Sequence, residues 1–468
     1  MGIENMTDAH AALSESAEKE SPEKAKIGYV LPFSYGLLLI VAAFFYNSPV
    51  EILTGFIKII TSPSQLMTDY MVLTSVGAAL FNTGLMMCLG VLLLVVSHTP
   101  LNGGVFAALF TVMGFSSFGK NPFNALPIFC GVYFFTRLLG IPFREKATVA
   151  LYGTGLGPLV SAVAFVLELP PFLALPLAFA VGLLIGFVQS PLLTSFSRFH
   201  RGYSLYNAGF TNGIAGMIFI SFMSYIGCKI DKISLVYRGP SIGLAVLLGL
   251  VFASLMLIGF FFEGRSLRRY SQLLQSSGRA GSDFMTQYGH GISLFNMGVC
   301  GFVGMAYALL MGGQLNGPII AGIMMMAGFG ANGKHLRNIT PVLLGLALIN
   351  VLTGHDPTWT SAVIAGLFGT SLAPIAGEYG TLAGMVAGAL HMTLVGVVGN
   401  LHAGVVLYNN GFSCGFIAAF LVPWLELLED HGWLLGRNVS RRLAGRGGRQ
   451  PLALKGDGNP GERPSGAA

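Results

Sequence analysis

Apolar runs of 16 to 29 residues recur along the chain from Tyr29 to Leu427, separated by short polar turns. Most are long enough to carry a helix across a hydrocarbon core about 30 Å thick. Fourteen spans are expected: 29–46, 70–97, 103–118, 123–141, 147–168, 171–195 and 203–227, then 240–262, 284–312, 316–331, 338–353, 359–376, 379–398 and 404–427. The segment 51–60 reads as an amphipathic helix suited to a membrane interface. The polar ends, 1–28 and 430–468, read as disordered cytoplasmic tails.

The pattern repeats. Phe81-Asn82-x-Gly84, Leu101-Asn102-Gly103 and Gly114-Phe115-(x)3-Gly119-Lys120-(x)3-Asn124-(x)2-Pro127 return 214 residues later. The second copy is Phe295-Asn296-x-Gly298, Leu315-Asn316-Gly317 and Gly328-Phe329-(x)3-Gly333-Lys334-(x)3-Asn338-(x)2-Pro341. With small shifts of register, Gly153-Thr154-x-Leu156-x-Pro158 matches Gly369-Thr370-x-Leu372-x-Pro374. Likewise Leu205-Tyr206-Asn207-x-Gly209-Phe210-Thr211 matches Leu407-Tyr408-Asn409-x-Gly411-Phe412-Ser413. The chain therefore divides into membrane repeats 29–227 and 228–429. Many transporters are built this way, with the substrate site where two repeats meet.

Composition agrees, because 53% of residues are hydrophobic and only 10% charged, against about 25% charged in a soluble protein. The expected class is an all-α, multi-pass protein of a bacterial inner membrane. Spans 103–118 and 316–331 are short, since sixteen helical residues rise only about 24 Å. Lys and Arg near span ends favour the cytoplasmic side and so test the count. Fourteen spans with both termini inside put eleven such residues inside and five outside, tails excluded. Making both short segments re-entrant turns this into six inside and ten outside. Seven spans per repeat, an odd number, means that the repeats are inverted.

The net charge of +6 does not indicate a nucleic-acid partner, because seven of the 26 basic residues lie in the C-terminal tail beyond residue 436. The five cysteines have neither paired nor metal-ligand spacing, and no cofactor or metal motif is present.

The candidate chemistry follows the repeats. Asn82-Thr83-Gly84 and Asn296-Met297-Gly298 read as breaks within long spans, and backbone freed by a break must line a cavity or be buried in protein. Asn102 and Asn316 open the two short spans. Asn207 with Thr211, and Asn409 with Ser413, offer donors, acceptors and hydroxyls to a small polar solute or an ion, although Tyr-Asn at a span start also suits an interfacial anchor and cap. Thr154-x3-Pro158 and its copy read as kinks. Lys120 and Lys334 end the short segments, where each can present charge at one mouth of a pathway or snorkel to the interface. Intramembrane carboxylates are nearly absent, and His391 stands alone mid-span as a gating residue or a bonded structural histidine.

As a whole, the apolar region resembles a family of uncharacterised bacterial multi-pass membrane proteins, known only as a domain of unknown function, which implies no substrate. Locally, Gly202-(x)3-Tyr206-Asn207-x-Gly209 and Gly404-(x)3-Tyr408-Asn409-x-Gly411 resemble the Tyr-Asn helix starts of urea transporters, which are built from inverted repeats. The Leu-Pro-x-x-Thr-x-Pro-Phe signature of those transporters is absent. The expected function is a transporter or channel-like facilitator for a small polar or anionic solute, with or without a coupling ion, in contact with lipids and compatible with a homo-oligomer. Two other classes fit the composition. One is a membrane enzyme acting on a lipid-linked substrate, and the other is a scaffold or sensor using the tail arginines Arg437 to Arg449.

Overall fold

The structure, a computed structural model, describes residues 28–433 except 229, 231, 232, 355 and 357. The expected tails, and the tail arginines, lie outside the described residues. The described chain is all-helical, with two isolated bridges and no strand. In the first half come α1 (Val30–Tyr46), α2 (Pro49–Ile60), α3 (Val76–Val96), α4 (Gly103–Phe115), α5 (Pro122–Leu139), α6 (Ala147–Phe165), α7 (Pro171–Ser197) and α8 (Asn207–Tyr225). The second half contributes α9 (Ile242–Phe262), α10 (His290–Leu310), α11 (Gly317–Gly328), α12 (Leu336–Thr353), α13 (Thr360–Tyr379), α14 (Thr381–Val398) and α15 (Asn409–Asp430).

Ten of these helices are long and apolar enough to cross a membrane, or eleven if α1 and α2, bent by 117°, count as one span. Helices α4 and α11 are apolar but too short for that test. Length and composition thus reach fewer than the fourteen spans expected. Outward-facing Phe45, Phe172, Phe262 and Leu310 are largely exposed, as lipid-facing side chains are. Helix α2 is the amphipathic segment: Ile52, Gly55 and Ile59 are buried, and it starts with a capping box in which Ser48 and Glu51 bond each other's backbone N–H.

The helix breaks are not where the sequence places them. Helix α3 runs unbroken through Asn82, Thr83 and Gly84, and α10 through Asn296 and Gly298. The discontinuities fall earlier, between Tyr70–Leu73 and α3, and at Gly289 between Phe284–Tyr288 and α10. The reason is that Asn disrupts a helix by competing for its own backbone, whereas these carboxamides are occupied elsewhere. Asn82 donates to the Ser116 and Lys120 carbonyls at 2.7 and 2.9 Å. Asn296 donates to those of Gly330 and Lys334, both at 2.7 Å. Gly84 and Gly298 let neighbouring backbones approach, at Gly36 and Phe252 respectively. Before Pro158 and Pro374, by contrast, α6 and α13 do tighten into single 3-10 turns, Thr154–Leu156 and Thr370–Leu372.

Equivalent helices pack equivalently: α1 lies on α3 as α9 lies on α10, and α5 on α7 as α12 on α14. Two pairs join the halves, α4 with α11 and α8 with α15. The bonds across the junction are reciprocal. Asp69 accepts from Gly317 N at 3.0 Å, and Asp283 from Gly103 N at 3.1 Å. Leu205 N donates to Ser371 O, and Leu407 N to Gly155 O. Such exchange, residue i to j and j to i, is what a two-fold pseudo-axis between the halves produces.

Candidate functional site at the junction of the two halves

Helices α8 and α15 cross at their first turns. Gly209 faces the Gly411 backbone and Gly411 the Gly209 backbone, while Gly213 and Gly415 receive the rings of Phe412 and Phe210. A side chain at Gly209 or Gly411 would hold the two backbones apart. Neither helix start has a side-chain cap: the N-cap residues are Tyr206 and Tyr408, and neither makes a capping bond. At the α15 start Gly411 N bonds back to Tyr408 O, and earlier first-turn N–H groups have no partner four residues back.

These two starts border a cavity of about 330 Å³ between the halves. Phe115, Tyr206, Phe329 and Tyr408 line its walls, with Ala208, Gly209, Asn410 and Gly411 at the helix starts. Toward the rim lie the partly exposed Asn102, Thr148, Tyr152, Asn207 and Asn332. Asn410 is 4% exposed. Its Nδ2 donates to Asn409 Oδ1 at 3.1 Å, and its carboxamide also interacts with His391.

Behind the aromatic walls sit the two lysines. The sequence places Lys120 and Lys334 at segment ends, as mouths of a pathway; both are instead fully buried. The turns after α4 and α11 fold back into the bundle, held by the Asn82 and Asn296 carboxamides, and this carries each lysine inward. Lys120 Nζ donates to the Tyr408 hydroxyl, and Lys334 Nζ to that of Tyr206. Each lysine thus reaches into the opposite half. Lys334 has a second acceptor in Thr370 Oγ1 at 2.7 Å. The two Nζ atoms stand 4.9 and 5.5 Å from the Tyr408 and Phe115 centroids, and 4.5 and 5.5 Å from those of Tyr206 and Phe329. Among the described residues the ion pairs are Arg201–Glu426 and Arg269–Glu263, so no carboxylate pairs with either lysine.

Of the residues singled out in the sequence, Asn102 and Asn207 reach the cavity. Asn102 also caps α4 through Val105 N, and Asn207 bonds His200 Nε2 and Leu193 O. Asn316 caps α11 and donates to Thr360. Asn409 accepts from Asn410. Thr83 bonds back to Ala79 O beside a smaller apolar pocket. The buried Thr211 hydroxyl has no partner, whereas its counterpart Ser413 bonds His391 Nδ1 at 3.0 Å. His391 also lies 3.5 Å from Cys414 Sγ, away from the cavity lining.

Sequence reasoning missed the rings. Tyr206, Tyr408, Phe115 and Phe329 all stand in the repeated motifs, and that repetition was the available signal. Asn410 left none, because the first half has Ala208 at the equivalent position.

One family model, described as "Protein of unknown function (DUF1576)", matches residues 48–225 and 262–427, most of both halves. No curated protein and no solved structure matches the chain.

Proposed function

The chain belongs to this family of proteins of unknown function, and from its geometry we propose that it is a membrane transporter for a small polar or anionic solute, working between two inverted halves. The observation that carries the reading is an asymmetry laid over a symmetric framework. The rim residues Asn102, Thr148, Tyr152, Asn207 and Asn332 are partly exposed, whereas their equivalents Asn316, Ile364, Phe368, Asn409 and Phe118 are buried. One face of the junction is open and the matching face is shut. Two halves that can exchange these roles would give alternating access.

The shut face has identifiable closures. Leu66 N donates to Gly404 O, while Leu235 N and Asp69 N exchange bonds with Met67 O and Leu235 O. Tyr237 N and Ile233 N donate to Asp69 Oδ2 and Gln65 Oε1, both at 3.1 Å. The connection between the halves thus lies over the start of α11. In the fourteen-span, inverted layout, the open rim faces the cytoplasm. The loops that lead to it carry Arg144, Lys146, Arg198 and Arg201, in keeping with the charge rule.

The test is flux into proteoliposomes from a panel of small neutral and anionic solutes. Uptake above empty vesicles, diminished by enlarging the cavity-lining Ala208 with Ala208→Phe, is expected. A correctly folded protein that moves nothing in the panel refutes the proposal.

A further inference from the structure

The transport proposal leaves the charge of the cargo open, and the lining of the cavity decides it. We propose that the cavity takes a small uncharged molecule that joins an aromatic ring to a carbonyl or amide end, with that end at Asn332 on the rim. The inference deepens the transport proposal and rests on it for movement, not for binding.

Among the described residues, no Asp, Glu, His, Lys or Arg belongs to the lining. An ion that leaves water for such a site meets no opposite charge, and burying an unpaired charge costs far more than burying a neutral polar group. The lysines do not change this. Lys120 and Lys334 stand outside the lining, each with its Nζ bonded to a tyrosine hydroxyl, and burial without a carboxylate partner disfavours a charge on either. Asp69 and Asp283, which accept from Gly317 N and Gly103 N, lie outside the lining as well. Beyond the rim Arg144 and Arg198 are exposed, where water and salt screen them.

What the lining does offer is rings and neutral polar groups. Phe115 meets Tyr408 edge to face with centroids 4.8 Å apart, and Phe329 meets Tyr206 in the same way at 4.8 Å. Phe368 stacks on Phe115 at 5.4 Å. Aromatic walls of this kind favour a ring, both by contact area and by edge-to-face geometry. The volume of about 330 Å³ lies near the lower end of the roughly 300–1,000 Å³ of small-molecule sites, so one compact molecule fills it.

One residue places the hydrogen-bonding end. Asn102 gives its Oδ1 to Val105 N, and Asn207 is bonded at both ends of its carboxamide, to His200 and Leu193. Asn332 lines the rim with a carboxamide that makes no hydrogen bond among the described residues. It offers a donor and an acceptor side by side, which is the complement of an amide. The equivalent residue of the first half is the buried Phe118, so this feature belongs to the open face alone.

Three probes of one shape separate charge from size: benzamide, benzoate and benzamidinium, which are neutral, anionic and cationic at neutral pH. Each is titrated into the purified full-length protein in detergent at constant ionic strength, and binding is read as a shift in thermal unfolding. Benzamide is expected to bind at least about tenfold more tightly than either ion. Asn332→Ala should weaken it about threefold to tenfold, as the loss of one hydrogen bond does. Asn332→Asp should reverse the order in favour of benzamidinium. Benzoate or benzamidinium binding as tightly as benzamide overturns the assignment, and so does the absence of any benzamide shift. Unchanged benzamide affinity in the folded Asn332→Ala variant overturns the place given to the amide end. Uptake into proteoliposomes that benzoate inhibits and benzamide does not sinks this inference and leaves the transport proposal standing. Benzamide that binds, while no solute of the panel moves, upholds the site and refutes transport.

Discussion

The most informative single perturbation is Tyr408→Phe, because it removes one oxygen and leaves the ring. Lys120 is wholly buried, and among the described residues the Tyr408 hydroxyl is the one oxygen that its Nζ bonds. Removing one partner of a buried hydrogen bond leaves the other unsatisfied, at a cost of about 1–3 kcal/mol. The expected loss is therefore about 2–3 kcal/mol, with the contact between the lysine and the ring retained. Tyr206→Phe is the internal control. Lys334 keeps Thr370 Oγ1 at 2.7 Å, so its loss should be about 1 kcal/mol. Adding Lys120→Met to Tyr408→Phe removes the stranded amino group and should recover most of the loss, since an apolar pair of similar volume often equals a buried polar one. The assay is unfolding in mild detergent titrated with dodecyl sulfate, followed by circular dichroism. Equal losses in the two tyrosine variants, or a double variant no more stable than Tyr408→Phe, would refute the account of how these lysines are held.

Three further outcomes are expected. Asn82→Ala strands the carbonyls of Ser116 and Lys120, which should cost about 2–4 kcal/mol in the same unfolding assay while leaving the order of solute preference unchanged. Gly411→Val places a branched side chain against the Gly209 backbone and should abolish flux before it abolishes folding, read as solute uptake beside size-exclusion profiles; normal flux would show that the crossing need not be close. In a background stripped of native cysteines, Arg144→Cys and Asp356→Cys sit in exposed, equivalent loops. Inverted halves require an impermeant thiol reagent to label them from opposite sides of the membrane, and labelling from one side ends the inverted layout.

Much of the framework was legible in the residues. Hydrophobic run length announced a helical membrane chain, and the repeated blocks announced two equivalent halves, because both signals are local and survive without knowledge of contacts. The site was legible in part. Asn102 and Asn207 were found through motif pairing and do line the cavity. Asn82 and Asn296 were paired just as well, yet their carboxamides hold the lysine-bearing turns instead. A polar residue inside an apolar run looks the same in sequence whether it faces a solute or a neighbouring carbonyl. Burying either is costly unless it is bonded, and sequence does not reveal the partner.

The lysines mark where the sequence stops. Their place at the ends of two short segments was fixed by the chain itself, and a terminal lysine ordinarily reaches for water. Folding the turn inward against Asn82 or Asn296 and offering a tyrosine hydroxyl from the other half reverses that outcome. The acceptor lies 288 residues away for Lys120 and 128 for Lys334, separations over which no local pattern carries information. The amino-acid sequence alone determined that there would be two matched halves in a membrane. Only the tertiary structure decided that one face of their junction is open, the other shut, and two buried lysines stand between, because burial depends on which surfaces of the two halves meet.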